Sequence, residues 1–348
     1  MTNSSDQMTD ASRTPPAPLH ATRPFYWSVR RELWENRSLY LAPLAVSALV
    51  LVGLLLSTIG MAQRRLLTLH LPPAKQVGLI VQPYEFAHGS VMITGFIVAI
   101  VYCMSALHTE RRDRSVLFWK SLPVSDLTTV LAKIFMPTVV LPIITGVIVV
   151  AVQLAMYAWS AIVLAIHGVP QPTYAQLPIV DLNLVTLYSL VVTTLWYVPL
   201  YAWFMMVGGW SRRVPFLWAV LPPAALCLGE KLAFNTTYLT KLLGARFVGV
   251  YDRAFVTQPS VVTTTVTRQT VVGSSAGAAP DLPPPVAPPI SHAAASPGFH
   301  GMPQSHSIGL AEIDFGKFLS TPGLWIGLAV AAAFIAVSVW LRRRREPL

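Results

Sequence analysis

The chain has 348 residues, of which 54% are hydrophobic and only 11% are charged. Ordinary soluble domains carry about 25% charged residues, so this composition excludes a standard soluble enzyme. The 25 basic and 15 acidic residues give a net charge of +10. The basic residues lie between long apolar runs and do not form the stripe of a nucleic-acid-binding face, so no nucleic-acid partner is expected. The composition predicts an all-α polytopic membrane protein.

Two polar segments precede the first apolar run. Residues 1–22 are polar and contain prolines, which predicts a disordered cytoplasmic tail. In residues 23–37, Phe25, Val29, Leu33 and Trp34 fall near helical spacing, with charged residues on the other faces. This pattern predicts an amphipathic helix lying in the membrane interface. The alternative is a short flanking segment of the first span.

Six apolar runs are long enough to cross a bilayer, which takes about 20 residues. They are predicted at 39–59, 90–107, 134–157, 184–208, 214–232 and 322–340. The first five spans therefore fall within 38–232 and the sixth within 320–341. The third run stays apolar as far as residue 166, and we expect this extra length to lie at the far interface. No signal peptide is recognised before the first run, so we expect that run to remain as an anchor.

The basic residues divide unevenly between the two sides of these spans. With both termini on the cytoplasmic side, 16 of the 25 basic residues lie on that side. The positive-inside rule therefore predicts a multi-pass protein of the cytoplasmic membrane with both termini in the cytoplasm. The tail 342–348 begins with four arginines, and we interpret Arg342–Arg345 as a clamp on anionic lipid.

The longest segment outside the membrane is the extracytoplasmic loop 233–319. Its first part is rich in Val and Thr, which allows short strands. Its middle is rich in Pro, Ala and Ser, which predicts a flexible segment without a core. Just before this loop, Glu230 and Lys231 fall near the outer membrane boundary. They are either an interfacial charged pair or charges that line an exit path.

The sequence shows no nucleotide-binding motif and no recognised catalytic constellation. There is no P-loop and no H-E-x-x-H, so we expect no enzyme activity, no catalytic residues and no metal or other cofactor held by this chain. Intramembrane ionisable residues are costly and usually functional, and the predicted spans are almost free of them.

The most informative stretch is the cytoplasmic loop 108–126 between the second and third spans. It begins with charged residues and then becomes amphipathic, with aromatic residues at Phe118 and Trp119. Pro123 ends a short helix, and Ser125 stands where the next helix needs an N-cap. The pattern predicts a short helix along the inner face, presenting aromatic side chains and charge to a cytoplasmic partner. A lipid-facing interfacial helix is the alternative.

Residues 110–126, ERRDRSVLFWKSLPVSD, resemble the signature loop of permease subunits of type-2 class ABC exporters. The specific resemblance runs from about Tyr102 to Phe135, and the six-span layout agrees along the whole chain. The resemblance implies a coupling helix that docks on a separate P-loop ATPase, which holds the ATP and Mg²⁺. It also implies a second permease copy, forming a homo- or heterodimer in the lipid bilayer. The residues assigned to ATPase coupling are Glu110, Arg111, Arg112, Asp113, Arg114, Leu117, Phe118, Trp119, Lys120, Pro123, Ser125 and Asp126.

Two other classes of function are weighed against a permease subunit. A stand-alone secondary carrier or channel would transport without an ATPase, but the spans lack the midplane carboxylates that favour proton coupling. A membrane-embedded enzyme or assembly factor would need a catalytic constellation. The long Pro-rich outer loop departs from compact members of the exporter family and leaves open what it recognises.

Overall fold

The computed structural model describes residues 22–112, 125–169, 177, 179–255 and 313–344. Predictions for the tail 1–21, the loop 113–124, the segment 256–312 and residues 345–348 lie outside these ranges. In the described part, helices follow one another in this order: α1 Thr22–Glu35, α2 Ser38–Ser57, α3 Met61–Thr68, α4 Pro73–Arg112, α5 Asp126–Phe135, a π-helical turn Met136–Val140, α6 Leu141–Ile166, α7 Ile179–Trp210, α8 Pro215–Phe234, α9 Tyr238–Phe247, α10 Val250–Ala254, α11 Phe315–Ser320 and α12 Pro322–Arg344.

Six of these helical segments are long and apolar enough to cross a membrane. The prediction of an all-α, polytopic membrane protein with six spans is confirmed at that level. In chain order, spans 1 to 6 are Ser38–Ser57, Lys75–Arg112, Asp126–Ile166, Ile179–Trp210, Pro215–Phe234 and Pro322–Arg344.

Spans 2 and 3 are much longer than the sequence predicted. Span 2 has 38 residues and span 3 has 41, so each extends roughly 60 Å at 1.5 Å per residue. A hydrocarbon layer is about 30 Å thick, so both helices project well beyond it. The apolar stretch up to Ile166 is therefore part of span 3 and is not a separate interfacial segment. Hydropathy detects only the part of a helix that lies in lipid, which is why the prediction was too short.

Span 3 changes its helical geometry in one place, between α5 and α6. The chain forms a π-helical turn over Met136–Val140. Pro137 and Pro142 lack an amide hydrogen, so neither can donate the bond that an α-helix requires at that position. Short π-helical turns of this kind occur inside longer α-helices and often stand at functional sites.

Two apolar clusters hold the bundle together. The larger one surrounds the fully buried Trp196, Met205 and Cys103 and involves spans 2, 3, 4 and 6. The second contains Tyr84, Val91 and Val149 with neighbours from α2, α3, α4 and α6. This second cluster packs parts of α4 and α6 that extend past the predicted spans, which gives these extensions a core of their own.

The helix predicted before span 1 is present as α1. Val29 and Leu33 pack against the larger apolar cluster, and the ring of Phe25 contacts that of Phe135. Trp34, which the sequence placed on the same apolar face, is instead 69% exposed. Arg30 lies over the rings of Trp27 and Trp34, so the tryptophans form a separate outward face.

The beginning of the loop 233–319 is helical where strands were considered. Residues 238–247 and 250–254 form α9 and α10, and Phe255 makes an isolated antiparallel bridge with Ile313. The short strands that the composition allowed over residues 245–272 are not formed in the described part, up to Phe255, and the rest of that stretch lies outside the described residues. Side chains of span 4 hold the end of α9 in place. Trp196 donates a hydrogen bond to the Arg246 carbonyl at 2.8 Å, and Tyr197 donates one to the Phe247 carbonyl at 2.6 Å.

We expect Gly208→Ala to destabilise the bundle by about 1–3 kcal/mol, the usual cost of overpacking. A Cβ at Gly208 would overlap the carbonyl oxygen of Met104 in span 2, and backbone cannot move aside as a flexible side chain can. Gly53→Ala is the matched control, because a Cβ there meets nothing within 4 Å. Thermal unfolding of the purified protein measures both, and equal unfolding midpoints for the two variants would show that spans 2 and 4 do not approach this closely.

Candidate functional site

Four segments that are far apart in the sequence meet at one end of the bundle, here called the network end. They are α1, the last turn of α4, α5 and the last turn of α12. Each contributes charged side chains to a buried ionic network, whose five members are Glu32, Glu110, Asp126, Lys133 and Arg342. Lys133 is 2% exposed, Glu32 is 4% and Arg342 is 8%. Charged residues are rarely buried to this extent unless they are paired.

The charges alternate along the network. The Nζ atom of Lys133 lies 2.6 Å from Oε1 of Glu32 and 3.2 Å from Oε1 of Glu110. The other oxygen of Glu110, Oε2, accepts a hydrogen bond from Nη1 of Arg342 at 2.5 Å. Nε of Arg342 donates to Oδ1 of Asp126 at 2.9 Å. Glu110 is thus the centre of the network and has a cation on each oxygen.

Neutral groups complete the surroundings of Glu32. The hydroxyl of Tyr102 donates to Oε2 of Glu32 at 2.9 Å, and Nδ2 of Asn36 donates to the same oxygen at 3.4 Å. A buried ion pair is stable only when its remaining polar atoms also find partners. These contacts meet that requirement for the carboxylate that comes from α1.

A fifth element joins the same region through the neighbouring arginine. Nη1 of Arg111 donates to the carbonyl of Gly209 at 2.7 Å, which ties the end of span 2 to the end of span 4. A cavity of about 20 Å³ lies beside this contact, lined by Leu107, Glu110, Arg111, Gly209, Ser338, Leu341 and Arg342. A cavity of that volume has room for about one water molecule.

The predicted coupling residues fall partly inside and partly outside the described ranges. Among those in the described ranges, Glu110 and Asp126 lie in the network, Arg111 contacts span 4, and Arg112 is exposed. Ser125 is confirmed as the N-cap of α5, because its hydroxyl accepts from the Thr128 amide at 3.1 Å. The residues of the prediction that lie outside the described ranges are Asp113, Arg114, Leu117, Phe118, Trp119, Lys120 and Pro123.

The interpretation of Arg342 as a lipid clamp is wrong. Its side chain is buried and bound by two carboxylates, whereas Arg343 and Arg344 are exposed, as a lipid contact requires. Glu110, Lys133 and Arg342 belong to the helices of spans 2, 3 and 6, but they lie just beyond the apolar runs predicted at 90–107, 134–157 and 322–340. The expectation that those runs are almost free of ionisable residues is therefore not contradicted by the network. The positive-inside rule assigns a basic residue to one side of the membrane, but it does not identify the side chain that the residue contacts.

Glu32, Tyr102, Lys133 and Arg342 were not identified as site residues from the sequence. Glu32 carried the clearest signal. It shares a face of α1 with Val29, Leu33 and Asn36, and an acidic residue on an apolar face needs a buried partner. That partner, Lys133, lies 101 residues away, so no local pattern could have identified it.

Glu230 and Lys231 lie at the far end of span 5. The carboxylate of Glu230 accepts hydrogen bonds from the Thr236 hydroxyl and from the amides of Tyr238 and Leu239, at 2.6–2.8 Å. It therefore caps the exposed N-terminal amides of α9, which also favour negative charge. Lys231 is exposed. The alternative that these charges line an exit path remains a prediction.

A smaller polar cluster joins spans 2, 3 and 4. Nε2 of His88 lies 3.3 Å from the hydroxyl of Ser189, and Nε2 of Gln153 donates to the Thr186 hydroxyl at 3.3 Å. Gln153 is fully buried. Hydrogen bonds between spans replace the hydrophobic drive that is missing in lipid, so we interpret this cluster as one that fixes helix packing.

Comparison with models of protein families, with curated proteins and with solved structures finds no match for this chain. Among the described residues, no group of three or more His, Cys, Asp and Glu side chains is placed to hold a metal ion. The geometry of the ionic network and the sequence of the loop 110–126 are therefore the basis on which a function is inferred.

Proposed function

We propose that this chain is the membrane-spanning permease subunit of an ATP-driven ABC exporter. A separate P-loop ATPase docks on residues 110–126, and the permease moves substrate across the cytoplasmic membrane. The supporting observation is that both ends of this loop enter one buried network. Glu110 at its start and Asp126 at its end are bound by the same side chain, Arg342, so span 6 holds the two ends of the loop together.

The network makes a rigid unit out of the elements around the loop. Separating Lys133 from Glu32 or Arg342 from Glu110 would leave a charge buried without its partner, which costs several kcal/mol. A displacement of the loop is therefore carried to α1 and to the ends of spans 2, 3 and 6 together. Transmission of this kind needs elements that keep their arrangement while they move.

The π-helical turn Met136–Val140 begins three residues after Lys133. The part of span 3 on the near side of this turn belongs to the network, and the long part on the far side packs against spans 1, 2 and 4. Interruptions of the regular helical bonds are where helices bend. We infer that span 3 bends here when the unit at the network end moves, while ATP and Mg²⁺ are bound by the partner.

Span 5 supports the presence of a second permease copy. Only 6% of the residues in the most apolar part of span 5 are buried within this chain, whereas 56% are buried in the corresponding part of span 4. Its exposed side chains include Leu221, Leu228 and Leu232, so nearly the whole circumference of the helix is available to lipid or to another subunit. A homo- or heterodimer that packs through span 5 fits this surface.

The proposal is tested by purifying the chain from its native cells and measuring whether a P-loop ATPase is retained with it. Phe118 and Trp119 offer the largest apolar area in the loop, and truncating central aromatic residues commonly costs more than 2 kcal/mol of binding free energy. We expect Phe118→Ala with Trp119→Ala to lower ATPase retention at least about thirtyfold. The control is Tyr238→Ala with Phe247→Ala, two exposed aromatic residues of α9, which lies outside span 5 at the opposite end.

Retention of the ATPase by the loop variant at the level of the control would contradict the coupling assignment. Substrate transport by vesicles that contain this chain alone and are driven by an ion gradient would support a stand-alone carrier instead. Measuring which candidate substrates stimulate the ATP turnover of the complex then identifies the class of substrate that is transported.

A further inference from the structure

Two arginines share one tryptophan at the far end of the bundle, opposite the network end. The guanidinium carbon of Arg246 in α9 lies 4.2 Å from the ring centroid of Trp196, and that of Arg253 in α10 lies 4.7 Å away. The Trp196 side chain in span 4 is fully buried. Stacking of this kind holds an arginine in place while leaving its N–H groups free to donate.

Span 6 leaves space for both guanidinium groups at two glycines one turn apart. Nη1 of Arg246 donates to the carbonyl of Gly323 at 3.0 Å. A Cβ at Gly327 would overlap Nη2 of Arg246, and a Cβ at Gly323 would lie 3.2 Å from Nη1 of Arg253. A larger residue at either position would fill the space that the arginine side chains occupy. The two glycines therefore leave room on α12 for both guanidinium groups.

The two positive charges lack a negative partner within the described ranges. There, no carboxylate forms an ion pair with Arg246 or Arg253, and Nη2 of Arg246 is buried without a hydrogen bond. Burial, together with the charge of Arg253, lowers the pKa of Arg246 to about 10. Both residues are partly exposed. Close, partly desolvated cations of this kind are stabilised by a bound anion.

The pair lies at the depth of lipid headgroups. Gly323 precedes Arg342 of the network by 19 residues of continuous helix, which is about 29 Å at 1.5 Å per residue. This is close to the hydrocarbon thickness of about 30 Å, so the arginines stand at the opposite membrane boundary. Leu242 and Val248 beside them are 66% and 74% exposed and present an apolar surface to acyl chains.

We propose that Arg246 and Arg253 form a binding site for a phosphate group. Guanidinium groups match phosphate oxygens in geometry and bind them through paired, charge-assisted hydrogen bonds. The phosphate comes from an anionic phospholipid at this membrane face or from a free phosphate in solution. The site involves α9, α10, span 4 and span 6 and does not depend on ATPase coupling, so either proposal stands if the other fails.

The test uses the full chain purified in a neutral detergent. Native mass spectrometry measures how much phosphatidylglycerol stays bound, with diacylglycerol of the same acyl chains as the ligand that lacks phosphate. Calorimetry measures binding of inorganic phosphate to the lipid-free protein. The variants are Arg246→Gln and Arg253→Gln, and the control is Lys241→Gln, which removes an equal charge from an exposed position of α9.

We expect phosphatidylglycerol, and not diacylglycerol, to be retained, with each arginine change weakening retention about fivefold to tenfold and Lys241→Gln leaving it unchanged. Inorganic phosphate that binds the wild type and is lost in Arg253→Gln, with equal lipid retention in all variants, would assign the same site to a free phosphate. If neither ligand responds to Arg253→Gln, the proposal is overturned. Among the described residues, the Arg253 side chain donates no hydrogen bond to the backbone, whereas that of Arg246 binds the Gly323 carbonyl. Arg253→Gln therefore remains informative even if Arg246→Gln unfolds.

Discussion

Replacing Arg342 with Met is expected to lower the free energy of unfolding by about 3–5 kcal/mol, the usual cost of removing one partner from a buried ion pair. Arg342 binds Glu110 at 2.5 Å and Asp126 at 2.9 Å. Without it, Asp126 loses its cation and Glu110 keeps only Lys133. Met carries no charge and fills the space of the apolar stem of Arg342, which limits the contribution of a cavity to this loss.

Arg343→Met is the matched control, since it is the next residue, removes the same charge and is exposed. An exposed arginine contributes about 0–1 kcal/mol, so its unfolding midpoint should stay near that of the wild type. Thermal unfolding of the protein in lipid nanodiscs measures both variants. If the two changes had the same small effect, Arg342 would act as a lipid clamp after all and the network would be wrong.

The second large effect is expected at Lys133, which is 2% exposed and joins α1 to span 2. Lys133→Met leaves Glu32 buried without a cation, and we expect a loss of about 3–5 kcal/mol in stability. Glu32→Gln in the same chain removes the unpaired charge and should recover part of that loss. Unfolding midpoints of the two single variants and the double variant then give the coupling free energy of the pair, expected at about 0.5–3 kcal/mol.

Lys231→Met serves as the control for the lysine change because Lys231 is exposed at the far end of span 5. It should leave the unfolding midpoint nearly unchanged. Strict additivity of Lys133→Met and Glu32→Gln would mean that the two side chains do not interact, and the connection of α1 to the network would have to be abandoned. If the chain is the permease subunit proposed above, Lys133→Met should also reduce the substrate-stimulated ATP turnover of the complex with that ATPase.

Local features were predicted well where their cause is local. Six apolar runs predict six spans, because burial in lipid acts on each helix separately. Ser125 was predicted as an N-cap because the capping bond joins residues only three apart, and it is found at that place. Apolar spacing likewise predicted α1, although the exposure of Trp34 shows that spacing alone assigns a face with some error.

Contacts between distant segments could not be predicted in this way. Arg342 and Glu110 are 232 residues apart, and Arg246 and Gly323 are 77 apart. Several arginines in the tail satisfy the same positive-inside rule, and the sequence does not say which of them turns inward. The lengths of spans 2 and 3 also depend on the second apolar cluster, which forms only when α3, α4 and α6 pack.

By itself the sequence determined that this is an all-α membrane protein, that it has six spans, and that Ser125 caps the helix after the loop 108–126. Only the tertiary structure decided that the 11% of charged residues include five that join four segments at one end, and two arginines that share a tryptophan at the other. The physical reason is that hydropathy and capping act within one helix, whereas a buried charge is stable only when another part of the chain brings its partner within about 3–4 Å.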